Sequence, residues 1–222
     1  MTPSSAMDIS AALAESQSYG GFFAITVGGD ADGWLPVRQC YDDGCADLID
    51  KAAAGYGTTE LRIAASMIQF SHASRLWSPV LACVAGAAVV PDLAGLQRFH
   101  SGTALRLPVP DGRSVGDGEA LAELLYGMVV EEHLDRLAAG LQVKVAAGLL
   151  YGNAAAALVG AARALVGVRP DVRQPVTALT HALLSTGGLA GTMTGPRLRR
   201  RSCCLFYRVP GGSYCGDCAL GQ

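Results

Sequence analysis

The sequence predicts an α+β protein, predominantly α-helical, in which packed helices carry a small β element and a cysteine-rich loop lies at the C-terminus. Three observations lead there. Half of the 222 residues are hydrophobic and only 6% are aromatic, so alanine, leucine, valine and glycine carry the excess, which suits closely packed helices. Several long stretches repeat apolar residues at helical spacing, whereas only two short runs read as strands. Four of the seven cysteines fall between Cys203 and Cys218.

In chain order, residues 4–17 read as a short amphipathic helix with Ile9 and Leu13 on one side. Phe22 to Val27 reads as a strand ending at Gly28-Gly29. Asp30 to Trp34 is a turn; Gly33 comes too early, and the terminal glutamate is missing, for a calcium loop. From Thr58 a strong helix begins, with Thr58 as its N-cap and Glu60 in its first turn. Leu61, Ala65, Ile68, His72 and Leu76 share one face, and Ile63, Met67, Phe70 and Trp77 another. Only a stripe at Arg62, Ser66, Gln69 and Ala73 is left for water, so this helix should be central, with His72 a hydrogen-bonded core histidine. Pro79 should end or kink it.

Val80 to Val90 reads as helical up to Pro91, and Thr103 to Val109 as a strand able to join Phe22–Val27 in a small sheet. Helical period returns over Gly118–Leu141. Its Glu131, Glu132, His133 and Asp135 lack the Glu-x-x-His pair of di-iron bundles and read as a solvated face. Further helices cover Val145–Val166 and Pro175–Ser185, and Thr186–Pro196 reads as a flexible connection.

Charge and composition exclude several functions. A net charge of -2 gives no general attraction to nucleic acid. The N-terminus lacks the basic start and apolar run of a secretory signal, so the expected location is cytoplasmic, with reduced thiols rather than a disulfide framework. The uncharged stretch between Lys144 and Arg163 reaches the lower limit for a membrane span. Its glycines, alanines and Asn153 make it a buried helix instead, and the chain is not expected to be an integral membrane protein. No GxGxxG or P-loop occurs, so nothing points to a bound nicotinamide, flavin or nucleotide.

The chemistry concentrates in the last residues. Cys203 and Cys204 are adjacent, ten residues intervene, and Cys215 and Cys218 follow as a CxxC pair. Structural zinc takes pairs spaced by two to four residues, and neighbouring residues of an extended segment point to opposite sides. A larger two-iron centre relaxes that demand and suits soft thiolate ligands. By spacing alone, iron-sulfur, zinc, and disulfide or loose thiols all stay open. Cys40 and Cys45 could replace one pair of ligands, and Cys83 reads as a small buried hydrophobe.

The stretch CCLFYRVPGGSYCGDC resembles the C-terminal signature of the FhuF-like ferric-siderophore reductases. Gly21-Phe22-Phe23, Trp77-Ser78-Pro79-Val80 and Tyr151-Gly152-Asn153-Ala154 look like that family's landmarks in the same order, with Tyr151 where tryptophan is expected. The resemblance implies a [2Fe-2S] cluster on Cys203, Cys204, Cys215 and Cys218. It also implies one-electron reduction of siderophore-bound Fe(III), hydroxamate type favoured, and release of Fe(II) for iron assimilation. Electrons would come from a ferredoxin or flavin reductase. Residues 1–196 would form the body with a siderophore-binding surface and 197–222 the cluster-binding segment, as one structural unit. Arg197, Arg199, Arg200, Arg201, Tyr207 and Arg208 are candidate substrate contacts. Two rival readings are an iron-sulfur electron carrier or sensor without siderophore activity, and a structural zinc module.

Overall fold

The computed structural model describes residues 7–115 and 120–221. The expected beginnings of helices at residue 4 and at Gly118 lie outside them. In chain order the elements are β1 (Met7–Asp8), α1 (Ser10–Ser18), β2 (Thr26–Val27), β3 (Trp34–Pro36), α2 (Val37–Asp42) and α3 (Ala46–Tyr56). Then come α4 (Leu61–Ala87), β4 (Val89–Pro91), β5 (Gln97–Phe99), β6 (Leu105–Leu107) and β7 (Asp111–Ser114). After them follow α5 (Leu121–Tyr126), a π-helical segment (Gly127–Leu134), α6 (Asp135–Gly140), α7 (Ala147–Val168), α8 (Arg173–Leu183), β8 (Met193–Thr194) and β9 (Arg199–Arg200).

The α+β reading holds, with helices dominant. α4 and α7 pack against each other and form the frame. Ala64, Ala65 and Ala73 of α4 and Ala154, Ala155 and Ala157 of α7 are buried, and such small side chains let helix backbones approach closely. α7 is long and apolar enough to cross a membrane, but 72% of its most apolar window is buried inside the protein, as in a core helix.

Among the described residues there are three small sheets. β1, β7 and β4 form one, and β2, β6, β5 and β3 another, in which β2 runs parallel to β6. The expected partnership of the two sequence strands is present, although the first is short: Gly21–Phe23 is a 3₁₀ turn, and only Thr26–Val27 pairs.

Several other expectations are corrected. α4 runs through Pro79 unbroken, because Trp77, Ser78, Pro79 and Val80 are all buried and packing offsets the lost hydrogen bond. The helix ends at Ala87, and β4 follows. Glu60 rather than Thr58 is its N-cap, and the Thr58 hydroxyl accepts from the Glu60 N–H. Ser66, Gln69 and Ala73 are buried, so the supposed water stripe is an interface. The segment 186–196 is not a simple linker: it contains a 3₁₀ turn and β8, which pairs with β9.

Cys40 and Cys45 form a disulfide, against the expectation of reduced thiols. The turn between α2 and α3 brings them together: Cys45 is left-handed (φ 52°), and its N–H bonds the Cys40 carbonyl. The same turn meets the end of α6. A Cβ at Gly140 would collide with the Tyr41 carbonyl oxygen, so Gly140→Ala should cost about 2–3 kcal/mol, read as a lower urea midpoint at unchanged m-value.

His72 is a core histidine, as expected, and His133 joins it, correcting its assignment to a solvated face; Glu131 and Glu132 do face water. The Tyr41 hydroxyl lies 2.6 Å from His72 Nε2 and 2.8 Å from His133 Nδ1. Burial first, and nearby positive groups second, lower the His72 pKa to about 3 and the His133 pKa to about 4. Both rings are therefore neutral in the fold, while the unfolded chain takes up protons as the pH falls below about 6.5. Stability should be full above that pH and fall between about pH 6.5 and 3, with each withheld proton steepening the slope by about 1.4 kcal/mol per pH unit. Urea melts across this range should show a shallower slope in His133→Gln than in the parent.

Candidate metal centre

The cysteine segment lies against α4 and α7 through a buried polar chain. The Ser66 hydroxyl donates to the Cys204 carbonyl at 2.9 Å. Asn153 Nδ2 donates to the Ser66 carbonyl and hydroxyl, and Arg200 Nη1 donates to Asn153 Oδ1 at 3.0 Å. Gly152 lies beneath Ser202, whose Oγ a Cβ at that position would have to displace. At the rim, Arg208 pairs with Glu60 at 2.9 Å, and Phe206 meets the Tyr56 ring edge-on at 5.7 Å.

The four cysteines lie in this segment, where Cys203 interacts with Cys204 and Cys218. Cys204 and Cys218 are buried, whereas Cys203 and Cys215 are half-buried. Cys204 Sγ and Cys215 Sγ are 3.5 Å apart. The Leu205 N–H points at Cys203 Sγ (3.3 Å) and the Leu220 N–H at Cys218 Sγ (3.4 Å). Leu205 holds φ 70°, a strained conformation for a leucine, as its N–H meets the Cys203 sulfur. These donors stabilise sulfur as thiolate.

Arg200 is the cation of the site. Its Nη2 lies 2.7 Å from Cys215 Sγ, and its Nε lies 2.9 Å from Asp217 Oδ2. Burial alone would lower the Arg200 pKa, but Asp217 and the Cys204 and Cys215 sulfurs raise it. As a free thiol Cys215 is pushed up to about 12, by burial against the opposing pull of Arg200. Burial likewise raises Cys203, against the Leu205 N–H. Metal ligation needs thiolates, so cluster assembly releases protons and favours higher pH. The donor set fits a cluster of this kind: four soft thiols, two with amide donors, beside a fixed positive charge.

The candidate substrate contacts divide. Arg200 is 3% exposed and committed inside the segment, so it faces the cysteines and not a ligand in solvent. Arg199 is half-buried and donates to the Cys218 carbonyl at 2.8 Å. Arg197 and Arg201 are exposed, and Arg208 is tied to Glu60. Tyr207 and Tyr214 are exposed and pair with ring centroids 5.5 Å apart. Cys83, buried in α4, is pushed up to about 12 by burial and belongs to the core.

Sequence reasoning missed Ser66, which it assigned to water, and Asp217, to which it gave no role. An acid between two cysteines and a run of arginines before them was the signal for Asp217. Asn153 and Gly152 were noted as landmarks without a role.

Residues 200–220 match the family model for the FhuF 2Fe-2S C-terminal domain, which supports the FhuF-like resemblance. The cofactor is accordingly a [2Fe-2S] cluster, and the chain carries an iron-sulfur redox segment. No curated protein and no solved structure matches the chain.

Proposed function

We propose that the chain is a ferric-siderophore reductase, whose residues 197–222 hold the [2Fe-2S] cluster through Cys203, Cys204, Cys215 and Cys218. Residues 1–196 form the body and offer the siderophore its surface, the two parts making one structural unit. When bound, the cluster supplies a reversible one-electron couple. The observation that carries this reading is the pair Cys204 and Cys215 beside the buried Arg200, in a segment that matches the FhuF 2Fe-2S domain.

The chain's residues have distinct tasks. Arg200 and the amides of Leu205 and Leu220 offset negative charge on sulfur, which favours the reduced state. Asp217, Asn153 and Ser66 fix Arg200 and the cysteine backbone in place. Half-exposed Cys203 and Cys215 open towards solvent, and exposed Tyr207 and Tyr214 offer a contact surface in the same segment. Siderophore-bound Fe(III), hydroxamate type favoured, accepts one electron and becomes Fe(II), which oxygen chelators hold much more weakly. The chelator is released intact. A ferredoxin or a flavin reductase returns the electron, and the reaction takes place in the cytoplasm as a step of iron assimilation.

The test is a single turnover. Anaerobic protein reduced by dithionite and freed of excess reductant is mixed with a ferric trihydroxamate and a ferrous-specific dye. One Fe(II) per reduced cluster, appearing as the cluster's visible absorption recovers, supports the reading. Recovery without Fe(II), or no recovery, rejects it.

A further inference from the structure

A cleft of about 390 Å³ lies between α7 and α8, closed at one end by the turn that leads into β9. The volume falls within the roughly 300–1,000 Å³ of small-molecule sites. Its floor is apolar, with Val159, Ala162 and Val176, and its rim carries Arg163, Arg173 and His181. Among the described residues that line it, none is acidic. Arg163 Nη2 reaches the Arg197 carbonyl at 2.9 Å, bracing the turn, while the Arg173 guanidinium has no partner among the described residues.

The end wall is Leu198, two residues before Arg200. Two residues span at most about 7 Å of chain. The cleft therefore abuts the strand whose guanidinium touches Cys215. An apolar floor, a cationic rim and a metal centre next door together define a ligand: an organic chelate with an apolar scaffold and peripheral negative charge.

We propose that this cleft binds the ferric chelate, and that it selects chelates bearing free carboxylates, which Arg173 and Arg163 receive. This rests on the reductase reading for its occupant. Guanidinium groups pair with carboxylates through charge-assisted hydrogen bonds, so charge and not size decides the choice. The hydroxamate groups stay on the iron, and the carboxylates are those the metal leaves free.

The test uses holoprotein with its cluster oxidised and redox-inert gallium(III) in place of iron. Calorimetry compares the gallium complex of a carboxylate-bearing hydroxamate chelator with its neutral methyl-ester twin. The carboxylate complex should bind about tenfold tighter or more, and Arg173→Gln should remove about that factor. Thr177→Trp, at an exposed position on the cleft wall, should abolish binding while leaving the visible spectrum and Tm unchanged.

Equal binding of the twins overturns the proposed selectivity, and undiminished binding in Thr177→Trp overturns the cleft. If Thr177→Trp reduces ferric chelates at the parent rate, the cleft is wrong and the reductase reading stands. If gallium complexes bind as expected but the ferric ones are never reduced, the cleft stands and the reductase reading fails.

Discussion

Replacing Cys204 by serine should strip the purified protein of visible colour and lower its bound iron by more than about tenfold, the scale at which even outer-shell changes weaken metal sites. Cys204 is 4% exposed and sits 3.5 Å from Cys215 Sγ, and in the proposed ligand set its thiolate is a soft donor that a serine oxygen does not replace. A serine oxygen is harder, shorter and poorly ionised at neutral pH. The body should survive: the Ser66 hydroxyl bonds the Cys204 carbonyl, which the substitution keeps. Cys83→Ala is the matched control. It removes a buried thiol from α4, away from the segment, and should keep iron and colour while lowering Tm modestly. Loss of iron in both variants would make general destabilisation the explanation, and retention in both would remove Cys204 from the ligand set.

Arg200→Leu should shift the midpoint potential down by about 65–130 mV, with a large loss of stability. A hydrogen bond to a charged group contributes about 1.5–3 kcal/mol, and about 1.4 kcal/mol corresponds to about 59 mV for one electron. The sign follows from charge. Reduction adds a negative charge, the guanidinium 2.7 Å from Cys215 Sγ favours that state, and removing it makes the protein a stronger reductant with a harder-to-fill centre. The stability cost, about 3–5 kcal/mol, comes from leaving Asp217 and Asn153 Oδ1 without their partner. Arg200→Lys retains the charge and should recover part of the potential but less of the stability, since an ammonium cannot bridge Asn153, Cys215 and Asp217 at once. A spectroelectrochemical titration reads the potential directly. An unchanged midpoint in Arg200→Leu would reduce Arg200 to a structural fastener.

Much of this arrangement was legible in the sequence for definite physical reasons. The cysteine spacing restricts what four thiols can hold, and long apolar periodicity marked α4 and α7 as helices of the interior. Two short apolar runs bounded by glycine and proline marked β2 and β6 as strands of one small sheet, while their parallel pairing is set by the structure alone. What escaped was decided by contacts between distant residues. Ser66 and Gln69 read as solvent-facing because polarity was equated with water; Ser66 instead bonds a residue 138 positions later, and Gln69 donates to the Leu150 carbonyl. Pro79 carries a local helix-breaking preference that burial of its neighbours overrides. The Cys40–Cys45 bridge depends on a left-handed residue in the short turn between α2 and α3, which spacing does not reveal. Arg200 read as a candidate substrate contact beside Arg197, Arg199, Arg201 and Arg208, and only the placement of Asp217 and Asn153 turns it inward.

The central claim is that this C-terminal segment holds a [2Fe-2S] cluster on its four cysteines. Its most direct test is the iron, acid-labile sulfide and zinc content of anaerobically purified protein, taken with its visible spectrum before and after dithionite. The account predicts a red-brown protein with iron and sulfide in equal amounts, bleached by dithionite, and no zinc. Colourless protein with zinc in place of iron and sulfide would contradict it.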